Sequence, residues 1–384
     1  MTTFLSLEPV DVLMLRGNRL FSDGHGACSM PPWPSIFAGA LRSRILVDRK
    51  ISFQAVESGI FSDEEARKVL GDYSNPGSFR ITLVGFEAEG KVWLSAPADL
   101  VGVQGAEAVE VSFLEPMPVK GSAMRGSFPL PFVPILRQRQ REKPVGGLWL
   151  SFEDLAKYLK AGAVSDLCPK PASRFWTLDP RLGIALDHEK RIAQEGMLYT
   201  TDAISLTPGT KIVVGVAGAD SVLPTEGLLR LGGDGHAVTI EKTMTNFVTG
   251  VDPVGESFRV ILATPGIFTE GWLPPDVEKQ GERYLLRAGG FVAELLAAAV
   301  KRHEVVSGWD LVEGKPKTAR RVVPIGSVYW FQQVEGSEED RRAWSRNVLE
   351  QGWWPSETMS VEDRRRQSEG FNNVLLGNWA RAAS

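Results

Sequence analysis

The residues with the most chemistry to offer stand in three short stretches. In "SDGHGACS" (22–29), His25 lies near Cys28 and Ser29. A histidine beside a thiol or hydroxyl is the material of nucleophilic catalysis, but spacing alone does not supply the geometry such a pair needs. A loop histidine with a structural role is the plainer reading. In "LGGDGHAV" (231–238), a Gly-Gly-Asp turn lacks the second carboxylate with which the Gly-Gly-Asp-Asp turns of nucleotide cyclases and polymerases hold metal ions. In "SGWDLVEGKPKTARRVVPIGSVYWF" (307–331), Lys315, Lys317, Arg320 and Arg321 precede an aromatic run, with Asp310 and Glu313 as the only acids nearby. Cations at that density suit a phosphate-bearing partner.

Other catalytic apparatus is missing. The four histidines, His25, His188, His236 and His303, form no set at metal-ligand spacing, so no metal is expected. No phosphate-binding P-loop and no Gly-x-Ser-x-Gly elbow occurs, and no cofactor is expected. Two cysteines, Cys28 and Cys168, exclude a disulfide framework and a four-cysteine zinc site.

The elements that must position the basic residues follow from pattern. Thr3–Leu15 alternates as a strand. A loop with a proline cluster leads to Ser35, read as the cap of a helix over "IFAGALRSRILVDRK", with Phe37, Leu41 and Ile45 as its buried stripe. "FRITLVGFEAEGKVWLSAP" reads as a hairpin turning at Glu89–Gly90, and two further strands flank Pro208–Gly209. "RYLLRAGGFVAELLAAAVKRH" has helical periodicity, "RRVVPIGSVYWFQQV" reads as a strand, "EEDRRAWSRNVLEQG" as a polar helix and "GFNNVLLGNW" as a closing strand. The order is that of α+β layers, with helices on one face of antiparallel sheets. The glycine turns in "LGGDG", "VPIGS" and "SEGFNN" each adjoin a strand, where bare amides can form an anion-binding nest.

At 384 residues the chain suits two domains. With 43% hydrophobic and 23% charged residues it has the composition of a globular protein, and no apolar run reaches membrane-spanning length. The opening "MTTFLSLEPVDVLMLRG" reads as a first strand rather than a signal peptide, and a reducing cytoplasm fits the two cysteines. The formal charge of −4 is unevenly spread. Ile51–Pro116 holds eleven acids and four bases, whereas Met117–Trp149 holds six bases (Lys120, Arg125, Arg137, Arg139, Arg141, Lys143) and Glu142 alone. That second segment reads as a long basic insertion or arm, of the kind that is usually functional or disordered.

The motifs together resemble a family. "LEPVDVLMLRGNRLFSDGHGACSMPPWPSIFAGALRSRIL", "PRLGIALDHEKRIAQEGMLYTTDAISL", "LATPGIFTEGWLP", the 307–331 stretch and "EGFNNVLLGNW" resemble, from about residue 5 to 380, the RAMP (repeat-associated mysterious protein) family of third Cmr subunits of type III-B CRISPR effector complexes. The chain departs from it at His236, where the family often has Arg or Lys, and at Phe371–Asn373, where a Gly-x-Gly turn is usual. The resemblance implies two ferredoxin-like (RRM-like) domains, placed at 1–190, with the insertion at about 117–149, and at 191–384. It also implies a non-catalytic subunit, without cofactor, that holds the repeat-derived 5′ tag of CRISPR RNA. Its partners would be the large polymerase-like Cmr subunit and the backbone RAMP subunits, with no membrane involved.

Three groups of residues are expected to meet RNA. The first is Arg16, Arg19, Ser35 and Arg42. The second is the arm residues Arg125, Arg137, Arg139 and Arg141. The third is Lys315, Lys317, Arg320, Arg321 and the turn at Gly326. Arginine forks suit phosphate and stack on bases. Trp309 is a stacking candidate, although tryptophan is more often core. The alternative is a metal-independent ribonuclease that matures CRISPR transcripts with His25 as acid or base; a purely protein-binding scaffold is the third reading.

Overall fold

The computed structural model describes residues 2–17, 25–72, 75–104, 109–119, 128–137, 143–161, 166–187, 189–243 and 255–379. The chain forms two compact units, each gathered from three stretches. The first contains Met1–Gly90, Ser173–Met244 and Val305–Arg320; the second contains Lys91–Ala172, Thr245–Glu304 and Arg321–Ser384. The boundary expected at residues 190/191 falls instead inside the first unit, at the tip of a long hairpin. Pairing between distant strands, rather than position along the chain, decides which segments belong together.

In the first unit the opening strand, Thr2–Pro9, lies at the centre of a sheet. It pairs antiparallel with Lys211–Ala217 on one side, Leu5 opposite Val214, and with Ala237–Thr243 on the other, Leu7 opposite Ile240. Arg80–Ala88 adds beyond Lys211–Ala217, and Glu226–Arg230 beyond Ala237–Thr243. Counting Thr2–Pro9, Arg80–Ala88, Lys211–Ala217 and Ala237–Thr243 in chain order, their spatial order is second, third, first, fourth. The first helix, Pro34–Asp48, packs here with Phe37, Leu41 and Ile45 fully buried, as its spacing requires. Its start differs from expectation. Trp33 is the N-cap and makes no side-chain cap bond, and Pro34 opens the helix. Proline suits that position because its fixed φ is helical and its missing N–H would lack a partner anyway. Ser35 therefore sits inside the first turn instead of capping it.

The second unit is built on a sheet whose strands Ser257–Leu262, Phe291–Ala299, Val328–Glu335 and Val374–Asn378 again stand in the order second, third, first, fourth. One face packs on the helix Glu338–Gln351 through aromatic side chains. Phe258 stacks on Phe331 at 5.4 Å between centroids and meets Trp344 at 5.7 Å, while Tyr329 meets Trp353 edge-on at 5.8 Å. On the opposite face the helix Phe152–Ala161 packs against the closing strand Val374–Asn378 and Arg259. From that face Arg259 donates to the Tyr158 carbonyl at 2.9 Å, and at the end of the closing strand Asn378 donates to the carbonyl of Lys160 at 3.2 Å. Helices therefore lie on both faces of this sheet, not on one as expected.

A second correction concerns two neighbouring strands of this sheet. "RYLLRAGGFVAELLAAAVKRH" is not a helix but two antiparallel strands, Arg283–Ala288 and Phe291–Ala299, around Gly289–Gly290. A strand buried on both faces loses the alternation that marks strands, and all but one residue of Phe291–Ala299 is buried. The polar helix and the closing strand occur where expected, and the short helix Val361–Ser368, not foreseen, precedes the latter. Glu89 and Gly90 turn the chain with φ 55° and 69°, the two positive values of a type I′ turn. Part of the basic insertion is regular as well. Val109–Pro118 pairs antiparallel with Phe132–Leu136, Leu114 opposite Leu136.

One ionic cluster lies within this second unit. Arg259 and Asp99, each 3% exposed, form an ion pair at 3.2 Å. The Tyr158 hydroxyl donates to both Asp99 oxygens at 2.7 and 2.8 Å, and the Arg259 guanidinium lies 4.1 Å from the centre of the Tyr158 ring. Burial pushes the Asp99 carboxyl above its usual range, and Arg259 opposes the shift. Removing one partner strands the other in an apolar setting. Asp99→Ala should cost about 3–5 kcal/mol, read as a lowered midpoint in urea unfolding; an unchanged midpoint would contradict this role.

Candidate nucleic-acid interface

The basic stretch folds as a small hairpin in the first unit. Trp309–Asp310 pairs with Lys315–Pro316, Trp309 opposite Pro316. The Asp310 carboxylate closes the turn by accepting from the Val312 and Glu313 amides at 3.0 and 3.2 Å, and Gly314 supplies the left-handed step with φ 62°. The Ser307 hydroxyl donates to the Lys317 carbonyl at 2.6 Å, and the Lys317 amide donates to Gly308 at 2.9 Å. The backbone is thus held from within. Trp309 is 57% exposed, and Leu311 beside it is exposed too. The indole is therefore not core. Lys315 is exposed and pairs with Glu313, which holds its ammonium above the usual lysine range and so fully charged. Lys317 and Arg320 are half-buried at the hairpin's foot; Arg321 is exposed and begins the next stretch of the second unit.

The N-terminal group is divided. Arg16 is exposed and bridges across to Cys28, whose thiol donates to the Asp202 carbonyl at 2.7 Å. Burial pushes the Cys28 thiol above its usual range, which makes it a poor nucleophile. Arg42 is half-buried with its guanidinium 5.0 Å from the Phe79 ring centre, a packing arrangement rather than an outward fork. Ser35 is half-buried in the first helical turn. His25 and Gly26 form a two-residue strand parallel to Thr200 and Thr201. Arg19 lies outside the described residues, as do Arg125, Arg139 and Arg141 of the arm. Arg137, the described arm residue of that group, is exposed and stands 3.4 Å from Glu115.

The three glycine turns differ from expectation, because their amides are already engaged. Gly233 N–H donates to the Met14 carbonyl at 2.9 Å. A Cβ on Gly232, where φ is 85°, would stand 2.5 Å from that same oxygen, so this turn clasps the strand leading to Arg16. Gly326 is buried; its N–H donates to Leu262 at 2.8 Å and its carbonyl accepts from Ala98 at 2.7 Å. In the last turn Asn372 is fully buried at φ 62°. Its side-chain carbonyl accepts from Ile267 N–H at 2.6 Å and its amide donates to Trp353 at 2.8 Å. Asparagine stands there because it tolerates the left-handed region and ties the turn to two other segments. The nest reading of these amides is therefore withdrawn, with Gly326 as a contact through its own N–H.

Two features escaped the sequence reading. Trp176–Asp187 and Ile192–Leu206 form a long antiparallel hairpin. Leu178, Leu182, Ile184 and Leu186 recur at even spacing along one strand, with Leu198 opposite Ile184, and all are exposed. The period of two was visible in "LDPRLGIALD". Lys301 is the second: its Nζ lies 3.7 Å from where a Cβ on Gly326 would stand. Only its place after a run of alanines marked it, and that run was read as helix.

A family model described as CRISPR-associated protein (Cas_Cmr3) matches residues 5–379. No curated protein matches the chain. Among solved structures, a chain of a type III-B Cmr-beta complex bound to cognate target RNA and AMPPnP aligns with TM-score 0.50 at 12% identity, covering 97% of this chain and 98% of that one. A chain of the same kind of complex bound to cognate target RNA aligns with TM-score 0.50 at 13% identity, covering 97% and 96%. At such identities the likeness is one of fold.

The division between clasping and presenting residues is testable by stability alone. Trp309→Ala should shift unfolding by no more than about 0.5 kcal/mol, as for an exposed side chain. Gly232→Ala should cost about 1–3 kcal/mol through backbone strain and the Met14 clash. Equal losses in thermal or urea unfolding would remove the distinction.

Proposed function

This chain belongs to the Cas_Cmr3 family of CRISPR-associated proteins and is a subunit of a type III-B effector; on that premise we propose that it clamps the repeat-derived 5′ tag of CRISPR RNA without cutting it. The observation that carries this reading is the hairpin at 309–316, an exposed indole on a backbone held from within, whose second strand begins at Lys315 and leads on to Lys317, Arg320 and Arg321. Single-stranded RNA is gripped by stacking its splayed bases and matching its phosphates. A base stacked on an aromatic ring contributes about 1–3 kcal/mol. Lys315, Lys317, Arg320 and Arg321 meet phosphate, with Arg16 and Arg137 as exposed cations on other segments. Arg19, Arg125, Arg139 and Arg141 belong to the same reading on charge alone.

The scaffold is two ferredoxin-like domains. The second–third–first–fourth strand order in both units supports it, since that is the order of such a fold's four strands. The clamp shares its groove with other subunits, which reconciles an acidic chain with an RNA ligand. The exposed leucines and isoleucine of the long hairpin suit a neighbouring protein surface, and we assign them to docking within the complex, the large polymerase-like subunit first. No helix among the described residues is long and apolar enough to cross a membrane, and a cytoplasmic location accords with the family's work on RNA.

With the four cations at 315, 317, 320 and 321 changed to alanine, the assembled complex should lose ultraviolet crosslinks between the RNA 5′ tag and this chain. The slope of log affinity against log salt should fall by about 0.7 for each phosphate contact removed. Unchanged tag retention and slope would end the clamp reading. Purified protein incubated with repeat RNA in EDTA should leave the RNA intact; cleavage abolished by His25→Ala would establish the ribonuclease alternative instead.

A further inference from the structure

The second unit holds a cavity of about 500 Å³ that the RNA reading does not use. It lies between the loop at 267–278 and the loop at 354–358, and its walls include Leu273, Pro274, Pro355 and Trp354. Around these apolar walls stand Glu270, Asp276, Glu278, Glu357 and Asp363, against a single cation, Arg287. Arg287 does not neutralise them: its guanidinium donates to the Gln280 side chain at 2.9 Å. Asp363 is occupied in capping the helix Val361–Ser368, accepting from the Ser360 hydroxyl at 2.7 Å. Asp276 accepts from the Ser356 amide with both oxygens, at 3.1 and 3.2 Å. Among the described residues, Glu270, Glu278 and Glu357 have no ion-pair partner.

We propose that this cavity receives a lysine-bearing segment of a neighbouring protein subunit. The inference rests on the reading that the chain works inside an assembly. The carboxylates set the sign of the occupant's charge, because RNA phosphates would be repelled. Their placement sets its shape. Among the described residues no three acidic, histidine or cysteine side chains converge as metal ligands, so a compact cation is not what they fit. An extended organic cation satisfies both halves of the lining: its aliphatic stem lies on proline, leucine and tryptophan, and its charged head reaches the rim. Asp276 accords with this. Burial pushes its carboxyl above the usual range, the Ser356 amide opposes the shift, and Glu357 and Glu278 reinforce it. An entering cation relieves that repulsion, so association should strengthen as pH rises and Asp276 ionises, with Glu270, Glu278, Glu357 and Asp363 facing the same cation and Arg287 opposing it.

The test uses the assembled complex. A zero-length carbodiimide couples carboxylates to lysine amines that touch them. Crosslinked peptides joining Glu270, Glu278 or Glu357 to a lysine of one neighbouring subunit are expected. The double reversal Glu270→Lys with Glu357→Lys, both exposed positions, should weaken that subunit's retention by about tenfold or more, while RNA crosslinks at 309–321 persist. Full retention of every subunit in that variant, or absence of such crosslinks, overturns the proposal. Spermidine is the second probe: saturable binding to the purified chain, abolished by the same reversal, together with unchanged subunit retention, would assign the cavity to a polyamine and overturn it too. Loss of RNA crosslinks in the 315–321 variant with carboxylate crosslinks intact accords with both readings, whereas unchanged tag retention there ends the clamp reading and leaves this one standing.

Discussion

A guanidinium sealed between a sheet and a helix is the constraint from which much of the second unit follows. Arg259 projects from a central strand on the face opposite Phe258, where the helix Phe152–Ala161 closes over it. A charge in that position is tolerable only with a carboxylate and hydrogen bonds to match it. Asp99, the Tyr158 hydroxyl and the Tyr158 and Asn378 carbonyls provide them. An oily pair of similar volume would hold the layers as well. What the ionic arrangement adds is register, because only one placement of the helix meets the guanidinium with its ring and its carbonyl together. We read the cluster as the feature that fixes that helix on its sheet.

A related economy governs the turns. Peptide N–H groups in tight glycine turns are natural anion sites, and three such turns beside basic side chains invite that reading. In each, however, amides are drawn inward: to Met14, to Leu262, and in the last turn to Gln367, Arg366 and Pro265. Glycine is needed at Gly232 and Gly326 because a neighbouring carbonyl comes too close for a side chain, which is packing rather than recognition. Affinity for a polyanion therefore has to come from side chains, and the exposed set at 309–321 is where charge and an aromatic ring coincide.

The sequence was legible where a segment's own pattern decides its structure. Phe37, Leu41 and Ile45 mark one stripe of one helix, and Glu89–Gly90 and Pro208–Gly209 mark turns by their own conformational preferences. It was illegible where a remote segment decides. Phe291–Ala299 is rich in helix-favouring alanine and lost its alternation because the side chains on both its faces are buried by segments remote in sequence. The interleaving of the two units leaves no mark in composition. Charge density identified Lys315–Arg321, but the surroundings of Arg42 and Trp309 depend on remote segments: Phe79 approaches the arginine, and the tryptophan is left 57% exposed. For Arg19, Arg125, Arg139 and Arg141, which lie outside the described residues, charge remains the whole argument.

An acidic chain proposed to hold RNA would need its negative charge kept apart from the RNA, and the placement of ion pairs bears on how that charge is distributed. In the first unit Lys211 stands between Glu8 and Glu241, at 3.1 and 3.6 Å, and Arg49 meets Asp63 at 2.9 Å, so many surface acids are matched by a local base. Such exposed pairs contribute little stability, but they flatten the field around them. Local concentrations of one sign then stand out: basic residues along 315–321, and acidic ones around the cavity of the second unit. A polyanion and a basic peptide seek opposite signs, and screening confines each field to about 10 Å in 0.1 M salt. Net charge therefore says little about this chain's partners, and the residual local charge, after neighbours have cancelled, says most.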